Sequence, residues 1–259
     1  MLPVLNVGPL AVQTSGLVLL LGIWLGLTLV ERNSQKFDVD PGISGNLTLA
    51  GLISMIVGGR IVFALEHLSV FINSPVSLVS LNPSLWDLPG GIIIGLIVSS
   101  WYGFRRKARF WSVLDALTPG IGVVMIAIGL ANLASGNAYG DPANLPWSIY
   151  LWGEWRHPVQ VYEILGTGLV FILKVVLPLY RHPQKDQQRA KGIFFLEFSA
   201  WSAAVQVFLG GFLADGALIA GQLQALQVGA WLVLAACLIL LGIRKKQPID
   251  TSPEVTDLT

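Results

Sequence analysis

Charge is what this chain has least of. Asp, Glu, Lys and Arg make up only 12% of its 259 residues, 54% are hydrophobic, and the mean hydropathy is +0.68. Soluble domains carry about a quarter charged residues, so composition excludes an ordinary water-soluble fold and indicates a polytopic membrane protein. The net charge is +1, which gives no electrostatic basis for binding nucleic acid. The single cysteine, Cys237 in WLVLAACLILLGI, excludes an intrachain disulfide and reads as a small packing residue. No internal repeat is visible, so an inverted-repeat transporter gains no support. Residues 1–10 hold no Lys or Arg, and the first charges, Glu31 and Arg32, come after the first apolar run. That order suits a retained helix rather than a cleaved signal.

Long apolar runs are what the chain has in quantity. About 20 such residues span a bilayer, and seven runs qualify, at roughly 10–30, 47–71, 89–104, 112–133, 159–180, 192–214 and 220–243. The third is short and Gly-rich, which predicts a tilted, broken or partly re-entrant segment. The expected fold is therefore all-α, with about seven transmembrane helices. It would form one domain over residues 1–245, followed by a disordered polar tail over 246–259. All but three of the 16 Lys and Arg (Arg60, Arg156 and Lys174) fall in loops on one side. This asymmetry predicts the N-terminus outside and the C-terminus inside. The outer loops, 72–88 and 134–158, carry Trp86, Trp147, Trp152 and Trp155, which suit an interfacial belt.

One stretch does not match its surroundings. WRHPVQVYEILGTG places Arg156, His157, Gln160, Tyr162 and Glu163 at the mouth of the apolar run LVFILKVVLPLY. Pro158 suits the first turn of a helix, where a missing N–H costs nothing. Arg156, Gln160 and Glu163, at i, i+4 and i+7, would then share a face. Glu163 lies about 8 Å into that helix, at 1.5 Å per residue, so it should face protein or a wet cavity rather than lipid. Read blandly, the cluster is an interface anchor with one buried acid. Arg60, in GGRIVFALEHL, is too central to snorkel and needs an acid or carbonyls around it, Glu163 being one candidate. Lys174, Glu197 and Asp115 read as snorkelling charges near the inner face, and Glu66 and His67 as half-solvated interface residues.

RHPVQVYE resembles the RHPSQLYE signature of the prolipoprotein diacylglyceryl transferases, and the resemblance continues in order along the chain. GGRIVFALEH is similar to that family's Gly-Ala-Arg helix, and LWDLPGGIIIGLI to its Trp…His-Gly-Gly-Leu-Ile-Gly stretch. GLANLASGNAYGDPANLPW is similar to its Gly-Arg-Ile-Gly-Asn-Phe…Gly-Glu…Gly stretch, and GQLQALQVGAW to its late Gly-Gln helix. The resemblance implies seven helices in a bacterial cytoplasmic (inner) membrane. The implied activity moves diacylglyceryl from phosphatidylglycerol to the thiol of a lipobox cysteine. The implied partners are a phosphatidylglycerol-like phospholipid and a preprolipoprotein. No cofactor or metal is expected. Lipid contacts are implied at Arg60, Asn132, Arg156, His157, Gln160, Tyr162, Glu163 and Gln222. Because an unpaired central charge is costly beside hydrocarbon, a lipid-accessible cavity is expected among the second to fifth segments, lined by Arg60, Asn132, Gln160, Tyr162 and Glu163. Catalytic candidates are limited to His157 and Glu163.

The chain also departs from that pattern. Pro89 stands where the resemblance places a His, Gly129 and Val205 where it places Arg, and Asn137 where it places Glu. The sixth segment has no basic residue and keeps only Asp215. A positioned acid or base contributes about 10²–10⁴ in rate, so these departures predict low or lost transferase turnover. Two non-enzymatic readings stand beside it: a phospholipid- or lipoprotein-binding protein, and a structural subunit of a larger membrane complex.

Overall fold

The computed structural model describes residues 4–7, 10–73, 85–181, 190–214, 216, 218–219 and 223–246. Its framework is helical: α1 (Thr14–Ser34), α2 (Pro41–Glu66), α3 (Leu68–Asn73), α4 (Leu88–Arg105), α5 (Phe110–Ser135), α6 (Val159–Phe171), α7 (Leu177–Arg181), α8 (Ile193–Leu209) and α9 (Ala225–Arg244). A π-helical turn, Ile172–Val176, makes α6 and α7 one continuous rod. Three two-stranded antiparallel hairpins are added: β1 (Val4–Val7) with β2 (Leu10–Gln13), β3 (Ile149–Leu151) with β4 (Glu154–Arg156), and β5 (Leu218–Ile219) with β6 (Leu223–Gln224).

Each of the seven expected apolar runs contains a helix. Five helices are long and apolar enough to cross a membrane: Thr14–Phe37, Pro41–Glu66, Phe110–Ser135, Val159–Tyr180 and Ala225–Arg244. α4 has 18 residues and α8 has 17, about 26 Å at 1.5 Å per residue and short of a hydrocarbon core of about 30 Å. α4 is unbroken. Side chains such as Leu20, Leu96, Leu165 and Leu238 are more than half exposed. So much outward apolar surface suits lipid rather than water.

The chain clusters into two compact units, Glu31–Val113 and Met1–Val30 with Leu114–Thr259. In the first, α2 begins several residues before the apolar count predicts. Asp40 caps it by accepting the Ile43 N–H at 3.0 Å, and Pro41 opens the first turn. α2 then packs on α4 at very short range. A Cβ on Gly91 would stand 2.6 Å from the Met55 carbonyl and 3.2 Å from the Gly59 Cα, so only glycines allow this approach. Asp87 caps α4 through the Gly90 N–H at 2.6 Å. Pro89 sits in the first turn, where its lack of an N–H is harmless.

In the second unit, α8 buries Ile193, Phe194, Leu196, Phe198 and Ala203, and it packs with α9. The start of α8 is held from a distance. Asp115 of α5 is 3% exposed and accepts the N–H groups of Gly192 at 2.6 Å and Phe195 at 2.8 Å. The snorkelling reading of Asp115 is therefore corrected: the side chain turns inward because a helix start offers it unpaired donors. Glu197 pairs with Lys245 at 3.4 Å, and Lys174 lies 5.2 Å from the centre of the Trp201 ring.

Candidate active site

Residues 155–163 divide between two elements. Arg156 ends β4, and α6 starts only after Pro158, whose carbonyl accepts the Val161 and Tyr162 N–H groups at 2.9 and 3.1 Å. The expected common face of Arg156, Gln160 and Glu163 therefore does not form, because Arg156 stands on extended backbone. Its Nε donates to the Leu151 carbonyl at 3.3 Å and its Nη1 to that of Gly140 at 3.3 Å. Its Nη2 pairs with Glu154 at 2.6 Å, and its guanidinium lies 4.8 Å over the Tyr139 ring. Arg156 fastens the loop that carries the hairpin.

His157 and Tyr162 form a short polar chain with Trp147. The Trp147 indole N–H donates to the Tyr162 hydroxyl at 2.7 Å, and His157 Nδ1 lies 3.4 Å from that hydroxyl. An indole can only donate, so the Tyr162 hydroxyl accepts from Trp147 and shares its second contact with His157 Nδ1. The His157 ring also rests on Phe212 at 5.2 Å. Gln160 is fully buried. Its amide donates to the Asn137 carbonyl at 2.8 Å, while its Oε1 has no partner among the described residues.

Glu163, one turn into α6, faces a cavity of about 300 Å³. The walls come from Ile128 and Asn132 on α5, Val159 and Glu163 on α6, Gln206 and Leu209 on α8, and Leu226 and Ala230 on α9. Gln206 Nε2 donates to Glu163 Oε1 at 3.0 Å. One carboxylate and two amides are the polar lining; none of the described lining residues is Lys, Arg or His. Such a site can accept a proton from a thiol or hydroxyl and orient a polar head, but its own walls supply no cation for a phosphate.

Of the expected contacts, Asn132 and Glu163 line this cavity, whereas Gln160 and Tyr162 turn to Asn137 and Trp147. Arg60 belongs to the other unit. There it is 8% exposed, donates to the Leu85 carbonyl at 2.9 Å and lies 6.0 Å from the Phe71 ring centre. Gln222 and Asp215 lie outside the described residues. Gln206 was not foreseen, although a glutamine inside the sixth apolar run is itself a signal.

The departures from the motif pattern have a steric counterpart. A Cβ on Gly129 would stand 2.9 Å from Ile164 Cγ1 and 3.7 Å from Glu163 Cγ. Val205 fills the corresponding space on α8, so that a Cβ on Gly166 would lie 2.7 Å from its Cγ1. Where the resemblance places two arginines, α6 closes directly on α5 and α8.

A family model described as prolipoprotein diacylglyceryl transferase matches residues 3–243. A relative from Methylococcus capsulatus, named phosphatidylglycerol–prolipoprotein diacylglyceryl transferase, is 30% identical over 232 residues, covering 85% of this chain and 87% of its own. Relatives with the same name from Photobacterium profundum and a Nostoc species are 27% and 26% identical, over 80% and 98% of this chain and 79% and 94% of theirs.

Proposed function

Because this multi-pass membrane chain belongs to the prolipoprotein diacylglyceryl transferase family, we propose that it handles the substrates its relatives are named for, at low turnover, with Glu163 as the proton acceptor. The membrane would be the bacterial inner membrane, with the N-terminus outside. In the reaction, the acceptor thiol loses its proton to the Glu163 carboxylate. The sulfur forms a bond to the glyceryl carbon of the donor, and the carbon–oxygen bond to the phosphate breaks. Phosphoglycerol leaves with the electron pair. A free thiol has a pKa of about 8.5, so an adjacent base is needed near neutrality.

The observation that carries this reading is the Glu163 carboxylate, held by Gln206 in a cavity that is otherwise apolar and amide-lined. The same cavity supports the low rate. Charge developing on the departing phosphate meets no Lys, Arg or His in the described lining, and loss of one such stabilising group costs about 10²–10³ in rate. Arg60 is proposed to meet lipid phosphate in its own unit. A second reading, a lipid-binding protein without turnover, draws on the closed packing at Gly129 and Val205.

The test is transfer from phosphatidylglycerol to a lipobox peptide in vesicles, with the Methylococcus capsulatus relative assayed alongside. Slow thioether formation that drops about 10²-fold or more in Glu163→Gln is expected. Turnover indifferent to Glu163→Gln would remove the base role, and turnover equal to the relative's would remove the low rate. Retained phosphatidylglycerol without product would favour the second reading.

A further inference from the structure

The β3–β4 hairpin has an unusual composition and an unusual turn. Trp152 and Gly153 join its strands with φ of 55° and 88°. Positive φ at both central residues gives the twist of a tight hairpin, but a bulky residue rarely adopts it. Here the Trp152 indole N–H is fixed on the Gly136 carbonyl at 3.1 Å. Tyr150 and Trp155 face each other across the strands, ring centres 5.6 Å apart. Trp147, Tyr150, Trp152 and Trp155 are each more than half exposed. The hairpin's two charged side chains, Glu154 and Arg156, neutralise each other at 2.6 Å.

This surface lies between α5 and α6, both long and apolar enough to cross a membrane. Three-residue strands extend only about 10 Å, which keeps the surface close to the ends of those helices. Aromatic rings with one polar edge favour the headgroup level of a bilayer, and a hairpin without net charge is not repelled by anionic lipid. Two indoles also tie the hairpin to the rim of the Glu163 cavity. Trp152 holds Gly136, two residues before the lining residue Ala138, and Trp147 holds Tyr162, next to Glu163.

We propose that the β3–β4 hairpin is a lipid-seated lip, lying in the headgroup–carbonyl layer at that end of α5 and α6 and fixing the cavity rim at that depth. The occupant of the aromatic surface is the bilayer itself. The proposal does not depend on turnover.

Spin labels at Trp155→Cys and, separately, Tyr150→Cys in a Cys237→Ala background would be reconstituted in vesicles of phosphatidylcholine and phosphatidylglycerol. A label at Lys107→Cys, in the turn between α4 and α5, serves as the aqueous reference. Power saturation should give an oxygen-to-nickel-chelate accessibility ratio several-fold above the reference at either hairpin site. A ratio equal to the reference would overturn the proposal. So would protection that appears only when a lipobox peptide is added, which would make the surface a peptide dock.

Discussion

Glycine 129 decides more than its size suggests. It lets α6 approach α5 beside Glu163, where a Cβ would already crowd Ile164 at 2.9 Å. Reintroducing a cation with Gly129→Arg should therefore destabilise the protein, by about 1–3 kcal/mol, as overpacking does, without raising turnover. A thermal-denaturation midpoint measured with the transfer assay checks this. An unchanged midpoint with faster transfer would show that the site still has room for its missing charge. Arg156 differs from its sequence reading. As an exposed outer-loop residue it would contribute about 0–1 kcal/mol, but it is bonded to two carbonyls and a carboxylate. Arg156→Lys should fail to restore what Arg156→Ala loses in thermal midpoint, because a point charge cannot replace a planar fork. Equal midpoints for Arg156→Lys and the parent would contradict that.

Elements were legible where periodicity or length carries them and illegible where distant groups meet. The apolar runs located every long helix. The run 47–71 starts six residues after α2 does, because PGISGN has the composition of a turn and the Asp40 cap is a matter of geometry. The hairpins escaped notice since strands of two to four residues leave no periodic signal. Asp115 capping α8 joins residues 77 and 80 positions apart, which no local pattern reveals. Asp115→Ala should strand two N–H groups and cost about 2 kcal/mol. Hydrogen exchange at the Phe195 amide is the direct readout, and a rate unchanged from the parent would contradict the capping role. Asp115→Asn, retaining one acceptor, should fall between the two. Within the candidate site, the motif pointed to Glu163 but not to Gln206, since helices that share a cavity need not be neighbours in sequence.

For the whole molecule, charge asymmetry makes a directional statement that the helices do not. Cys237 is buried, so the native thiol is a quiet background for labelling. A membrane-impermeant maleimide should reach Asn144→Cys, between α5 and α6, from outside intact cells, and Lys107→Cys only after permeabilisation. The reverse pattern would overturn the topology argued from Lys and Arg. Membership of the family was visible in RHPVQVYE and its companions. The use made of those residues was not, because Arg156, Gln160 and Tyr162 secure the loop and its hairpin, His157 rests on Tyr162 and Phe212, and of the five only Glu163 lines the cavity.

The π-helical turn at Ile172–Val176 acts across the thickness of the membrane as a phase correction. At about 100° per residue, an unbroken α-helix would carry Val175 and Leu179 about 60° and 100° away from the side on which Gln160 and Thr167 are buried. The wider turn takes up that excess, and all four are buried together. The rod thus consists of two segments whose angular settings are joined by an adjustable coupling: one aims Glu163, the other seats Val175 and Leu179. Removing Leu173 would return the turn to α geometry and leave both segments aimed as before, because it deletes the one residue of excess that the wider turn absorbs. A length change at this turn is therefore one the chemistry-bearing half of the helix can survive.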